Sequence, residues 1–233
     1  MNLVDFFIIV VLSACILIGV YKGFLHSLLG IGAFLISWLM CAILGPTVAR
    51  SLDKSHKLLD TLSIYVEGAD SLGSIDNAKI PVSELTDVRL DSIIDNANIP
   101  EPFPQLIKLN IKKGTFPQLQ TLGDYTNQTL SIVLINILAF FVIFIIARVV
   151  LQFVINGYDS TWKLPIIRQY DSLLGGSFGL INGILFLFVI FILVPTFLAI
   201  QPTKIIQQYL DSSLLGSFFY KSNFILNSMR GVL

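Results

Sequence analysis

The segment that decides the fold class is residues 3–45, LVDFFIIVVLSACILIGVYKGFLHSLLGIGAFLISWLMCAILG. It contains two apolar runs, 3–21 and 24–45, which are joined only by Lys22 and Gly23. A helix of about 20 residues crosses the hydrocarbon core of a bilayer, which is roughly 30 Å thick. Each run is long enough, and so short a connection requires the two helices to be antiparallel neighbours. The segment therefore predicts a transmembrane hairpin.

The composition of the whole chain indicates the same solvent. Of its 233 residues, 55% are apolar and only 13% are charged, and the mean hydropathy is +0.80. Soluble domains carry about 25% charged residues. The formal net charge is zero, so no basic field favours nucleic acid as a partner. The partner that this composition indicates is the lipid bilayer.

The charged residues are concentrated in one part of the chain. Residues 46–128 hold 19 of the 30 charged side chains, which marks this segment as a polar insert. Two more apolar runs of spanning length follow it, at about 130–150 and about 173–200. The run at 3–21 has no basic residue before it and no small-x-small cleavage site after it. We therefore expect it to be retained as a span and not removed as a signal peptide.

These runs predict an all-α membrane protein with four transmembrane helices in two hairpins. The predicted parts are a first transmembrane hairpin at 1–45, a polar helical insert at 46–128, a second transmembrane hairpin at 129–200 and an amphipathic C-terminal tail at 201–233.

Helical periodicity predicts further structure in the insert and the tail. In the insert, apolar residues recur at helical spacing in three segments, at about 52–66, 85–97 and 103–111. In the tail, apolar pairs recur every four residues, which is typical of an interfacial helix or of one packed on the insert. The tail pairs are Ile205, Ile206, Tyr209, Leu210, Leu214, Leu215, Phe218 and Phe219.

Basic residues predict the orientation, because those in short loops stay on the cytoplasmic side. Lys22 lies in the first short loop, and Arg148, Lys163 and Arg168 end or follow the third span. We expect these residues to be cytoplasmic, with the N-terminus, the insert and the tail outside.

A glycine-rich motif opens the fourth span. GGSFG, residues 175–179, fits G-x-S-x-G, which in hydrolases puts a serine nucleophile on a strand-to-helix turn. Glycines at this density also cradle phosphates or let two helices touch. A nucleophile needs a base within hydrogen-bond reach, and no motif links Ser177 to His26 or His56. The chain has neither the P-loop motif nor the dinucleotide-binding glycine motif.

Helix packing explains the motif better than chemistry does. Three glycines recur every four residues from 175 and line one helix face, which lets a partner backbone approach closely in lipid. The second span has a similar stripe of small residues from position 33. The predicted helix-packing residues are Gly175, Gly179, Gly183, Ala33, Ser37, Cys41 and Gly45.

No catalytic, cofactor-binding or metal site is predicted. The two histidines and two cysteines are scattered singly, unlike a metal-ligand cluster. Within the first hairpin, Cys15 and Cys41 would differ in depth by roughly 16 Å at ~1.5 Å per residue, too far for a disulfide. No Asp, Glu, Lys or Arg lies at an expected midplane, which argues against a self-contained coupled transporter.

Several short motifs lie near the ends of the spans. They are Asp5, Tyr21-Lys22-Gly23-Phe24, Asp159, Lys163-Leu164-Pro165, Asp171, Leu174-Gly175-Gly176, Gly179 and Gly183. This set resembles the colicin V production protein (CvpA) family, over roughly 3–45 and 130–200 and not in the insert. The resemblance implies a multi-pass protein of the bacterial inner membrane, linked to colicin V production or export and to envelope maintenance. It implies no reaction.

Three functions follow as hypotheses. The leading one is a non-enzymatic membrane protein that supports toxin (bacteriocin) production or export and envelope maintenance, with itself or other envelope and export proteins as partners. The alternative is a pore or transporter subunit assembled as an oligomer. The third is an intramembrane hydrolase that uses Ser177.

Overall fold

The computed structural model describes residues 2–52, 61, 62, 66, 68–157, 170–200 and 204–227. Most of the helical segment predicted at 52–66 lies outside these ranges, as does His56. The same holds for four residues of the predicted motifs, Asp159, Lys163, Leu164 and Pro165, for Arg168, and for the side chains of Ile205 and Ile206.

Helices are the main regular elements of the described residues. No strand occurs among these residues, and one isolated antiparallel bridge joins Pro81 and Thr121. Short 3-10 turns lie at Asp70–Leu72 and Val82–Glu84. The helices are α1 (Leu3–Lys22), α2 (Phe24–Leu52), α3 (Ile75–Ala78), α4 (Asp87–Asn96), α5 (Phe103–Lys112), α6 (Leu122–Gly157), α7 (Asp171–Phe191), α8 (Leu193–Ile200), α9 (Lys204–Asp211), α10 (Leu214–Lys221) and α11 (Phe224–Asn227).

Four helical segments in the described ranges are long and apolar enough to cross a membrane: Leu3–Lys22, Phe24–Leu52, Leu122–Gly157 and Asp171–Leu198. The predicted all-α membrane fold is therefore confirmed. α2 and α6 extend further into the insert than the apolar runs do. Hydropathy locates only the part of a helix that lies in lipid, and polar turns continue the helix where water solvates them.

The described chain divides into two compact units. The first consists of Met1–Gly45, Phe140–Phe191 and Ile205–Asn223, and the second of Pro46–Ala139, Ile192–Lys204 and Phe224–Leu233. The predicted boundaries at 45, 128 and 200 remain a prediction.

Contacts in the first unit give the directions of its helices. Along α1 and α7, Leu12 contacts Gly183 and Gly19 contacts Gly175, so these two helices are antiparallel. Along α2 and α6, the backbone carbonyl of Gly30 meets Arg148, and Cys41 meets the carbonyl of Phe140. α2 and α6 are therefore antiparallel as well.

The second unit has its own apolar core. α4 and α5 fall within segments predicted from periodicity, and Leu90, Ile94, Phe103 and Ile107 are their buried apolar residues. Pro104 lies in the first turn of α5, where the missing amide hydrogen is not needed. One buried cluster joins the loop before Leu122 to α2 and α6; its members are Ala49, Phe116, Tyr125, Ile132, Ile135 and Ala139.

Candidate functional site

The most closely packed contact of the first unit lies between α1 and α7. We call the surface formed by Cys15, Gly19, Gly175, Gly179 and Gly183 the glycine seam. A Cβ atom on Gly179 would lie 2.5 Å from the backbone oxygen of Cys15 and 3.1 Å from the Cα of Gly19. Both neighbours are backbone atoms, so no side-chain rotation would make room. In lipid, such approaches replace the hydrophobic driving force that helices have in water.

The seam decides how GGSFG is arranged. Gly175, Gly176 and Gly179 are buried, whereas Ser177 is exposed and its hydroxyl donates to the carbonyl of Leu173, 3.1 Å away. Ser177 lies inside a continuous helix and not on the sharp turn after a strand that a nucleophile elbow needs. The motif therefore has the geometry of a packing surface.

The second stripe of small residues lies on α2. Ala33, Ser37 and Cys41 are buried; the hydroxyl of Ser37 donates to the carbonyl of Ala33 (2.8 Å), and the thiol of Cys41 meets the carbonyl of Phe140 (3.5 Å). Apart from the neighbouring backbone of its own helix, no atom of the described residues lies within 4 Å of a Cβ built on Gly45. The packing role of the seven predicted residues remains a prediction.

Sequence reasoning identified the α7 side of the seam but not its partner. Cys15, Gly19 and Gly23 recur every four residues, so the same small-xxx-small signal was present on α1. Cys15 and Cys41 are both free thiols.

A carboxylate joins the α1–α2 turn to the start of α7. Gly23 has a φ of 84°, a conformation that favours glycine. The next amide hydrogen, that of Phe24, is donated to Asp171 Oδ1 at 2.9 Å. The ring of Phe24 also packs edge-to-face on Phe178, with centroids 5.0 Å apart. Asp171 therefore satisfies an amide at the beginning of α2, which that helix cannot satisfy itself.

Two further polar contacts cross between helices near this turn. Asn182 Nδ2 donates to the carbonyl of Ser27 (2.8 Å) and to that of Phe178 (3.2 Å). Arg148 donates from its guanidinium to the carbonyl of Gly30 at 2.7 Å. Both donors reach backbone carbonyls of α2, so α6 and α7 are each tied to the same helix.

The tail is docked at the opposite end of α1. Asp5 accepts hydrogen bonds from the hydroxyl of Ser213 (2.6 Å) and the amide of Leu215 (3.1 Å), both at the beginning of α10. A Cβ on Gly216 would lie 2.8 Å from Val4 Cγ1, so α10 lies close to α1. Phe219 packs on Phe188 and Phe191 of α7. Asp5 also accepts a hydrogen bond from the amide of Asn2 at the beginning of α1 (3.3 Å). The sequence contained no local signal for its role in docking the tail, because Ser213 and Leu215 are more than 200 residues away.

Ion pairs connect α4 and α5 in the insert. Lys108 lies 2.9 Å from Asp91 and 2.8 Å from Asp95, and Lys112 lies 3.5 Å from Asp87. The hydrogen bond from Lys108 lowers the pKa of Asp91 below its ordinary value. The hydrogen bonds to Asp95 and Asp91 raise the pKa of Lys108. No group of three or more His, Cys, Asp or Glu residues that could hold a metal ion occurs in the described ranges.

Comparison with known proteins bears on the second hairpin and the tail. A model of the colicin V production protein family matches residues 115–223. The predicted resemblance to this family is confirmed over these residues. The matched segment contains α6, α7 and α10, and thus one side of the glycine seam and the docked tail. The resemblance of the first hairpin to the family lies outside the match and remains a prediction.

The chain is also similar to a curated protein. It is 29% identical over 82 residues to an uncharacterized transmembrane protein, YshB, of Bacillus subtilis (strain 168). The similar segment covers 35% of this chain and 44% of that relative, so the chain spans less than half of the relative's length. No solved structure matches the chain.

Proposed function

We propose that this chain is a multi-pass protein of the bacterial cytoplasmic membrane that supports bacteriocin production or export and envelope maintenance without catalysing a reaction. The observation that carries the proposal is the match of residues 115–223 to the colicin V production protein family. The helical geometry of GGSFG supports the non-enzymatic part, since the Ser177 hydroxyl donates to its own helix.

In this proposal the membrane helices form a rigid frame and the insert contacts partners. The partners are other envelope or export proteins, or a second copy of the chain. Two exposed apolar side chains support a contact role for the insert, Ile75 at 69% and Val88 at 81% exposure. A partner that covered these two side chains would remove their apolar area from water.

We place the N-terminus, the insert and the tail outside the cytoplasm, and Lys22 inside. The basic residues of the short loops support this orientation. Docking of the tail on the N-terminal end of α1 supports placing those two segments on the same side of the membrane.

Complementation of a strain that lacks the gene tests the proposal. Loss of the gene should lower bacteriocin export and raise sensitivity to detergents, and the wild-type gene should restore both. Ser177→Ala should restore both as well, because the Ser177 hydroxyl donates to the carbonyl of Leu173 in its own helix. If Ser177→Ala is inactive at normal membrane abundance, the result would contradict the non-enzymatic proposal and favour the hydrolase hypothesis. Ion flux through the purified protein in liposomes would instead favour a pore or transporter subunit.

A further inference from the structure

Arg148 lies within a membrane-spanning helix, and its guanidinium has no carboxylate partner among the described residues. Its one hydrogen bond there is to the carbonyl of Gly30, which engages one of five donors. Gly30 lies seven residues beyond Gly23, about 10 Å along the axis of α2 at ~1.5 Å per residue. A charge at this depth is costly unless it is paired or reaches the interface.

Two other basic side chains lie toward the same end of α2. His26 and Gly30 are four residues apart, so they share one face of the helix. Lys22 Nζ lies 3.2 Å from His26 Nε2, and since an ammonium only donates, that nitrogen accepts and the ring's other nitrogen carries the hydrogen. Lys22 is exposed, while His26 and Arg148 are half-buried. The nearest carboxylate on α7, that of Asp171, is engaged with the amide of Phe24.

Two tyrosines mark the level of the lipid headgroups. Tyr21 is 92% exposed and Tyr170 is 55% exposed. Tyr21 adjoins Lys22 in the α1–α2 turn and Tyr170 adjoins Asp171, and the hydrogen bond from the Phe24 amide to Asp171 joins that turn to the start of α7. Tyrosine is enriched where the acyl chains meet the headgroups. The three basic side chains therefore lie at the depth of lipid phosphates or just below it.

We propose that Lys22, His26 and Arg148 form a binding site for the phosphate of an anionic phospholipid. The guanidinium has donors left over to bind phosphate oxygens in its planar fork. Lys22 adds a second positive charge at the membrane surface, and His26 adds a ring donor between the two. The acyl chains of the lipid would lie along the exposed apolar residues of α6 beside Arg148, including Ile145 and Val149.

Native mass spectrometry of the purified full-length protein in neutral detergent tests the site. The probes are phosphatidylglycerol, phosphatidylcholine and inorganic phosphate, each titrated separately and phosphate also as a competitor. The wild type should retain phosphatidylglycerol in preference to phosphatidylcholine, and free phosphate should not displace it. Equal retention of the two lipids, or displacement by free phosphate, would overturn the lipid assignment.

Substitutions then locate the site. Arg148→Gln and Lys22→Gln should each weaken phosphatidylglycerol binding about fivefold, which corresponds to about 1 kcal/mol per basic residue at a membrane surface. Arg148→Lys keeps the charge and should weaken it less than Arg148→Gln. The matched control is Lys221→Gln, an exposed lysine of the docked tail, which should bind as the wild type does. If Arg148→Gln does not fold, the binding measured for Lys22→Gln decides whether the site exists. Wild-type phosphatidylglycerol binding by Lys22→Gln, or by a folded Arg148→Gln, would refute the site.

Discussion

The backbone of Gly19 lies directly against the backbone of Gly175, and neither residue has room for a side chain. This contact holds the antiparallel pair α1 and α7 together at the end where α1 turns into α2. Helices in lipid associate through such close approaches and through interhelical hydrogen bonds. The stability of the pair α1 and α7 therefore depends in part on residues that have no side chain.

Gly179→Leu should destabilise the protein strongly. A side chain there would meet the backbone of Cys15 and Gly19, and overpacking costs about 1–3 kcal/mol. We expect a lower thermal midpoint in mild detergent and lower abundance in membranes. The matched control is Gly32→Leu, because apart from the local helix backbone none of the described atoms lies within 4 Å of a Cβ built there. Ser177→Ala should cost less, because it removes a hydrogen bond within α7, and even interhelical hydrogen bonds in a membrane average only about 0.6 kcal/mol. A midpoint for Gly179→Leu at or above that of the wild type would show that the seam is not an interface.

Asp171→Ala should lower the thermal midpoint of the membrane unit. The substitution removes the acceptor for the Phe24 amide at the beginning of α2, and loss of such a cap costs about 1 kcal/mol. Asp171→Asn keeps a side-chain oxygen and serves as the control, with a smaller loss. Equal midpoints for the two variants would mean that the hydrogen bond to Phe24 contributes nothing.

Asp5→Ala should release the tail from α1. The substitution removes the carboxylate that accepts hydrogen bonds from Ser213 and Leu215. These two hydrogen bonds orient the first turn of α10. Hydrogen exchange should rise in residues 213–221 and stay unchanged in the glycine seam. Asp211→Ala, an exposed carboxylate of α9, is the control. Unchanged protection of 213–221 in Asp5→Ala would contradict the docking.

Lys108→Gln should destabilise the insert slightly in a pH-dependent way. Because Lys108 lowers the pKa of Asp91, this pair stabilises the folded state above the ordinary Asp value of about 3.9. That contribution is lost as the pH falls through the lowered pKa. The pKa of Lys108 is raised, so its own contribution is present below about 10.4 and is lost as the pH rises through the raised value.

Thermal unfolding of the wild type and Lys108→Gln checks this dependence. The difference in midpoint should be largest near neutral pH and shrink under strong acid or strong alkali. Lys113→Gln, an exposed lysine of the same segment, should show no such dependence. A difference that is constant with pH would rule out the ion pairs as its cause.

The orientation is tested by thiol labelling in a background of Cys15→Ala and Cys41→Ala. An impermeant reagent should label Asp76→Cys, in the insert, in intact cells. It should label Tyr170→Cys, at the other end of the membrane helices, only after permeabilisation. The reverse pattern would place the insert in the cytoplasm.

Much of the fold could be predicted because its determinants are local. Hydropathy and length located the four spans, and glycines at a period of four marked one face of α7. Periodicity also located α4 and α5 in the insert. Each of these features depends only on residues within one helix and on the solvent around it, so no knowledge of the partners was required.

The pairing of surfaces was decided only in the tertiary structure. Two stripes of small residues were recognised in the sequence, yet the partner of Gly175 and Gly179 is a third, formed by Cys15 and Gly19. Asp5 accepts a hydrogen bond from Ser213, which is 208 residues away in the sequence, so only the folded chain brings the two together. Helical periodicity states which residues share a face, whereas backbone fit and hydrogen-bond geometry between whole helices select which faces meet.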